Sequence, residues 1–151
     1  MTGQEAEDLF YDTMQSLGKT VRRATEEENI KQQFDIVCDG VKYDVKAPKK
    51  LNRGDTCSTN ILWVELYNVL GNRGWIKGEA DRIAFLKGKE FITVDREELY
   101  QLVRTLVTDL NIYSKKGYCK LYRRKGRKDI VTYIDFSDIT TIIKEVIKIK
   151  Q

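Results

Sequence analysis

Residues 34–49 read FDIVCDGVKYDVKAPK. Asp39-Gly40 lies between two alternating runs, the strongest short-range signal for a two-residue β-hairpin turn. Such a turn fixes the register: Cys38 opposite Val41, Val37 opposite Lys42, Ile36 opposite Tyr43 and Asp35 opposite Asp44. Residues two apart on a strand share a face. Phe34, Ile36, Cys38, Val41, Tyr43 and Val45 therefore form an apolar face, and Asp35, Val37, Lys42, Asp44 and Lys46 form the other. Counted out from the turn, Asp35 and Asp44 are expected as a non-hydrogen-bonded pair, the kind with closer side chains. Like charges so placed destabilise a sheet. Two readings remain open. On a solvated face, Lys42 and Lys46 simply neutralise Asp44. Alternatively, a divalent cation such as Mg²⁺ or Mn²⁺ sits between the carboxylates, and Lys46 assists a water or stabilises charge on a phosphoryl group.

The surrounding sequence supplies the other elements. Ala6, Phe10, Met14 and Leu17 recur at helical spacing across residues 3–17, with Gly18 as a stop. VRRATEEENIKQQ reads as a short strand over 19–23 followed by a loop or one helical turn. NILWVELYNV is a strand, GNRGWIKGEAD a glycine-rich connection, and DRIAFLKGKEFITVD a pair of strands around Lys87-Gly88. Asp95 and Glu98 have capping-box spacing ahead of the helix REELYQLVRTLVTD. KLYRRKGRKDIVTYIDF predicts a second hairpin, and Ser137 or Asp138 is expected to start a last helix running to about residue 149. The order predicts an α/β (α+β) domain with one central mixed sheet flanked by helices. It is taken as a single domain over 1–151, in which 112–151 form a C-terminal basic hairpin and helix extension.

Composition narrows the chemistry. The 151 residues are 41% apolar and 33% charged, as in an ordinary globular protein, and carry a net charge of +4. There is no histidine, which excludes Ser-His-Asp and Cys-His catalysis and zinc chemistry of the HExxH type. Catalysis would have to use Asp, Glu, Lys, Tyr or a hard metal ion. Cys38, Cys57 and Cys119 are too dispersed to suggest a disulfide framework or a zinc site. Neither a signal pattern nor a membrane-spanning run is visible, so a soluble cytoplasmic protein is expected.

An acid, a short hairpin and then Asp-x-Lys (here Asp35 and Asp44-Val45-Lys46) resembles the PD-(D/E)xK nuclease superfamily. That superfamily often adds a glutamate from the preceding helix. Glu7 in GQEAEDLF is the best match, with Glu5 and Glu28 as alternatives. WVELYNVLGNRGWIKGEADRIAF is similar to small phage-encoded and Holliday-junction-resolvase-like members. Phe34 stands where the motif's proline would be, at a position that varies widely in the superfamily.

The resemblance implies a restriction-endonuclease-like sheet and metal-dependent hydrolysis of DNA phosphodiesters. It implies Mg²⁺ or Mn²⁺ on Asp35, Asp44, the Val45 carbonyl and Glu7, and a catalytic set of Glu7, Asp35, Asp44 and Lys46. Glu65 is expected near the metal, and Asp81 less so. Branched or double-stranded DNA is the implied partner, with a homodimer for paired cuts. The alternative is a non-catalytic nucleic-acid-binding or accessory protein on a nuclease fold.

Two basic segments suit phosphates. Lys49, Lys50 and Arg53 follow Lys46 directly, and Arg123, Arg124, Lys125, Arg127 and Lys128 crowd the second hairpin turn. Both also read as ordinary solvated turns. Trp63 reads as core. Trp75, between glycines, is the better candidate for stacking on a base, although core packing is the leading reading there too.

Overall fold

The computed structural model describes residues 1–52, 54–55 and 60–149. The class is mixed α/β, as expected, but the strands form two sheets instead of one. The elements are α1 (Gly3–Ser16), β1 (Val21–Arg23), α2 (Glu26–Gln32), β2 (Ile36–Cys38), β3 (Val41–Lys46) and β4 (Ile61–Tyr67). They continue with β5 (Arg82–Lys87), β6 (Glu90–Asp95), α3 (Arg96–Leu106), β7 (Ile112–Tyr113), β8 (Leu121–Tyr122), β9 (Ile130–Asp135) and β10 (Ile143–Lys148). The chain separates into two compact units: Met1–Pro48 with Glu79–Arg96 and Ile143–Gln151, and Lys49–Gly78 with Glu97–Ile142. Among the described residues, no helix is long and apolar enough to cross a membrane.

The first unit holds a six-stranded sheet in the order β1-β2-β3-β5-β6-β10. β2 and β3 pair in the expected register: Cys38 with Val41, Val37 with Lys42, Ile36 with Tyr43. β3 and β5 are parallel. Parallel neighbours need a crossover instead of a tight turn, and the chain between them makes it. α1 opens on Thr2, whose hydroxyl accepts the Glu5 N–H. It then packs Ala6, Phe10 and Met14 on Ile36, Cys38, Tyr43, Val45, Ala84, Leu86, Phe91 and Ile147. The apolar hairpin face expected from the sequence is thus the floor under α1, with Phe10 edge-on to Phe91 at 5.0 Å. Phe34 is buried but outside that cluster; Lys42 Nζ lies 5.2 Å from its ring.

One expected element is corrected. The helix expected over the C-terminal residues is instead β10, antiparallel to β6, after a single 3₁₀ turn at Phe136–Ile139. The cap is Asp135, ahead of the expected Ser137 or Asp138, and Asp138 closes its capping box from the third position of the turn. The continuation IKEVIK alternates, with Ile143, Glu145 and Ile147 less exposed than Lys144, Val146 and Lys148. β-Branched residues in such alternation suit a strand edge better than a helix.

The second unit holds the sheet β4-β9-β8-β7. The basic hairpin is present, with Tyr122 on β8 paired to Val131 on β9. The glycine-rich connection folds back on β4: Gly74 N–H donates to the Leu66 carbonyl at 2.8 Å. A Cβ on Gly74 would lie 2.1 Å from the Glu65 carbonyl oxygen, so only glycine permits this approach.

Candidate active site

The candidate site is built on the open end of the β2–β3 hairpin. Strand pairing stops one residue short of the expected Asp35–Asp44 pair. Asp35 N–H reaches the Tyr43 carbonyl at 2.8 Å and its own carbonyl accepts the Ala24 N–H, so it leaves the ladder. Its side chain turns along β3 instead. Oδ2 accepts the Val45 N–H at 2.8 Å, and Oδ1 accepts from Asn29 Nδ2 at 2.8 Å. Each oxygen therefore has one donor and retains acceptor capacity.

Asp44 stays in β3, opposite Ile83 of β5. The solvated-face reading does not hold, because Asp44 is only 4% exposed. Its Oδ1 lies 3.1 Å from Lys46 Nζ, while its buried Oδ2 has no hydrogen-bond partner. Burial pushes the Asp44 carboxyl up to about 8, against the pull of Lys46 and with a further push from neighbouring Asp35. The ion pair and the burial act in opposite directions. Burial dominates because an ionised carboxylate with an unsatisfied oxygen is costly in a dry setting. Lys42, the other cation expected beside Asp44, turns away and donates to Gln32 at 3.1 Å.

Glu7 projects from α1 toward the same end. Its carboxyl is raised by partial burial and then by the Asp35 charge, with Arg23 and Lys46 pulling it down. Of the three candidate glutamates, Glu7 shares the field of Asp35 and Lys46. Glu28 is occupied by Arg22 at 2.8 and 2.9 Å and closes the capping box of α2, and Glu5 is exposed in the first turn of α1. Asp81 accepts the Lys42 N–H at 2.9 Å and so anchors the start of β3.

The structure thus brings Glu7, Asp35, Asp44 and Lys46 into one electrostatically coupled group. The remaining candidates lie in the second unit. Glu65 is on β4, paired with Val131, in a different sheet from Asp44. Lys49, Lys50, Arg123, Arg124, Lys125, Arg127 and Lys128 are exposed there, and Arg124 pairs with Asp129 at 3.3 Å. Arg53 lies outside the described residues. Asn29 was not anticipated as a residue that orients Asp35. The α2 capping box in TEEE, which places Asn29 at Asp35, was the signal that could have found it.

Among the described residues, no three Cys, Asp or Glu side chains gather closely enough to form a ready-made cation cage. Mg²⁺ does not require one. It takes one or two carboxylates and fills its other positions with water and phosphate oxygens. The orphaned Asp44 Oδ2 beside Asp35 is the donor arrangement such an ion fits. No protein-family model, no curated protein and no solved structure matches the chain.

Proposed function

We propose that the protein is a metal-dependent nuclease that hydrolyses DNA phosphodiesters. The observation that supports this reading is the buried Asp44 carboxylate, with one oxygen on Lys46 and the other orphaned beside Asp35. Asp35, Asp44, the Val45 carbonyl and Glu7 would hold Mg²⁺ or Mn²⁺. The ion supplies a more acidic bound water and a polarised phosphodiester. Asn29 and the Val45 N–H hold Asp35 in place. Lys46 lies against Asp44 Oδ1 in the resting site and offers its ammonium to charge developing on the phosphate. Glu7, raised toward neutrality, is suited to take a proton from water. The similarity of WVELYNVLGNRGW to resolvase-like proteins favours branched DNA, such as a Holliday junction, and a homodimer that cuts two strands.

The test is cleavage of branched, linear and single-stranded DNA with Mg²⁺, with Mn²⁺ and with EDTA. Asp44→Asn and Lys46→Ala should each lower turnover at least about a hundredfold. Activity that survives both substitutions sinks the assignment. A second reading, a non-catalytic nucleic-acid-binding protein on this fold, is favoured by the exposed cations Arg123, Arg124, Lys125, Arg127 and Lys128 at the β8–β9 turn. It predicts DNA binding without turnover.

A further inference from the structure

The second unit carries a feature that the proposed phosphodiester hydrolysis in the first does not use. β4 and β9 alternate in register. Leu62, Val64, Thr132 and Ile134 are buried on one face. Trp63 and Tyr133 are direct cross-strand partners on the other, with rings 5.2 Å apart at 66°. Tyr118 bridges to Tyr133 and continues the row, its ring 6.2 Å from that of Tyr133. Trp63 is therefore not a core residue. It and Tyr133 are half-buried, and Tyr118 is 48% exposed.

The row is held from its edges. Trp63 Nε1 donates to the Lys50 carbonyl at 3.1 Å, and the Tyr118 hydroxyl donates to Asp138 at 2.6 Å. The next residue, Cys119, sits at φ +55° and gives its N–H to the Tyr133 carbonyl at 3.0 Å. A left-handed conformation in a non-glycine residue is strained, and here it fixes where Tyr118 stands. A cross-strand aromatic pair by itself needs neither the extra tyrosine nor the strained residue that follows it.

Charge indicates what such a row could receive. The second unit has 14 lysine and arginine residues against 8 acidic ones, whereas the first has 13 against 15. All the net positive charge of the chain therefore belongs to the unit with the aromatic row. Lys50 adjoins Trp63 through its carbonyl, and Lys116 Nζ reaches the neighbouring Leu51 carbonyl at 2.7 Å. The basic β8–β9 turn follows from Tyr122, whose partner Val131 lies two residues from Tyr133. Aromatic rings between cations match a strand whose bases expose their faces and whose phosphates run alongside. A duplex hides those faces in its own stack, and an acidic polypeptide has none.

We infer that the Trp63–Tyr133–Tyr118 row is a stacking platform for unpaired bases of single-stranded nucleic acid, with Lys50, Lys116 and the β8–β9 turn taking the flanking phosphates. The inference goes beyond the nuclease reading and does not depend on a metal at Asp44.

Binding is measured in EDTA on the Asp44→Asn background, so cleavage plays no part and the two readings fail separately. The probes are a fluorescent oligo(dT), the same length of duplex, and poly-glutamate. Oligo(dT) should bind more tightly than either and should quench Trp63 fluorescence. Tyr118→Ala should weaken oligo(dT) binding about tenfold and leave duplex binding unchanged. Tyr118→Phe, which keeps the ring, should restore most of it. Lys116→Ala should weaken both nucleic acids and flatten the salt dependence. If Tyr118→Ala melts early, Trp63→Phe in the otherwise intact protein decides, because the oligo(dT)-induced quench must vanish with it. No oligo(dT) binding at low salt, equal affinity for duplex or poly-glutamate, or unchanged oligo(dT) affinity in Tyr118→Ala would each overturn the inference.

Discussion

Asp44→Asn should gain stability relative to the metal-free wild type as pH rises from 5 to 7. Burial holds Asp44 protonated up to about 8 in the folded chain, whereas an aspartate in an unfolded chain ionises near 3.9. A raised folded value means that this group's contribution to stability is fully present below about pH 4 and is lost as pH climbs through about 8. One proton's difference costs at most about 1.4 kcal/mol per pH unit, so the wild type should lose about 2.6 kcal/mol between pH 5 and 7. The asparagine variant has no such proton. No histidine clouds the window. The lowered carboxyls of Glu28 and Asp109, both near 2, act only below it. Glu7 shifts in the same direction as Asp44, and subtracting the variant's curve from the wild type's removes its share.

Urea unfolding in EDTA at half-unit pH steps measures this difference. The stability of Asp44→Asn minus that of wild type should grow steadily with pH and level off near pH 8. A flat difference would show that Asp44 is ionised in the native state, with Lys46 outweighing burial. The account of a carboxyl poised for a cation would then be wrong.

Two further substitutions test the scaffold. Gly74→Ala should cost about 3 kcal/mol or more by urea unfolding, because the new Cβ meets the backbone of β4 at 2.1 Å and backbone cannot rotate aside. Glu145→Ala should cost about 2–4 kcal/mol, because one carboxylate oxygen accepts from Tyr43, Arg82 and Thr93 at 2.7–2.9 Å and ties β10 to the sheet. Those donors also hold the Glu145 carboxyl below its usual value against the burial that would raise it, so its contribution should fade only as pH falls below about 4.5.

What could be read from the sequence was local. Asp39-Gly40 fixed the hairpin register to Ile36–Tyr43, because a two-residue turn leaves no freedom. The next pair could not be read. Asp35 leaves the ladder to satisfy Ala24 on one side and Val45 on the other, and the Ala24 contact is set by how β1 and α2 pack. α2 has no buried residue and so no apolar period; only its capping box marks it in the sequence. The division into two sheets was invisible because it rests on partners far apart in the chain: β3 with β5, and β4 with β9. For the site, residue identities were legible but burial was not. Alternation placed Asp44 on the polar face of its hairpin, and only the packed structure shows that Asp44 itself is buried.

A buried carboxylate with an orphaned oxygen is not, by itself, a site. Asp129 supplies the comparison. It too is buried, at 9% exposure, with Oδ1 unpartnered and Oδ2 on a cation, Arg124, at 3.3 Å. Asp44 has in addition a second carboxylate at hand: Asp44 is pushed by Asp35, and Asp35 in turn pushes Glu7, so three acids share one field. Glu145 shows the structural solution to the same problem, three donors on one oxygen and a lowered carboxyl. Asp129→Asn should leave DNA cleavage within about twofold of wild type, whereas Asp44→Asn should lower it at least about a hundredfold. Equal losses in the two variants would mean that cleavage depends on buried charge in general, through stability, and that the group at the open end of the hairpin has no special chemistry.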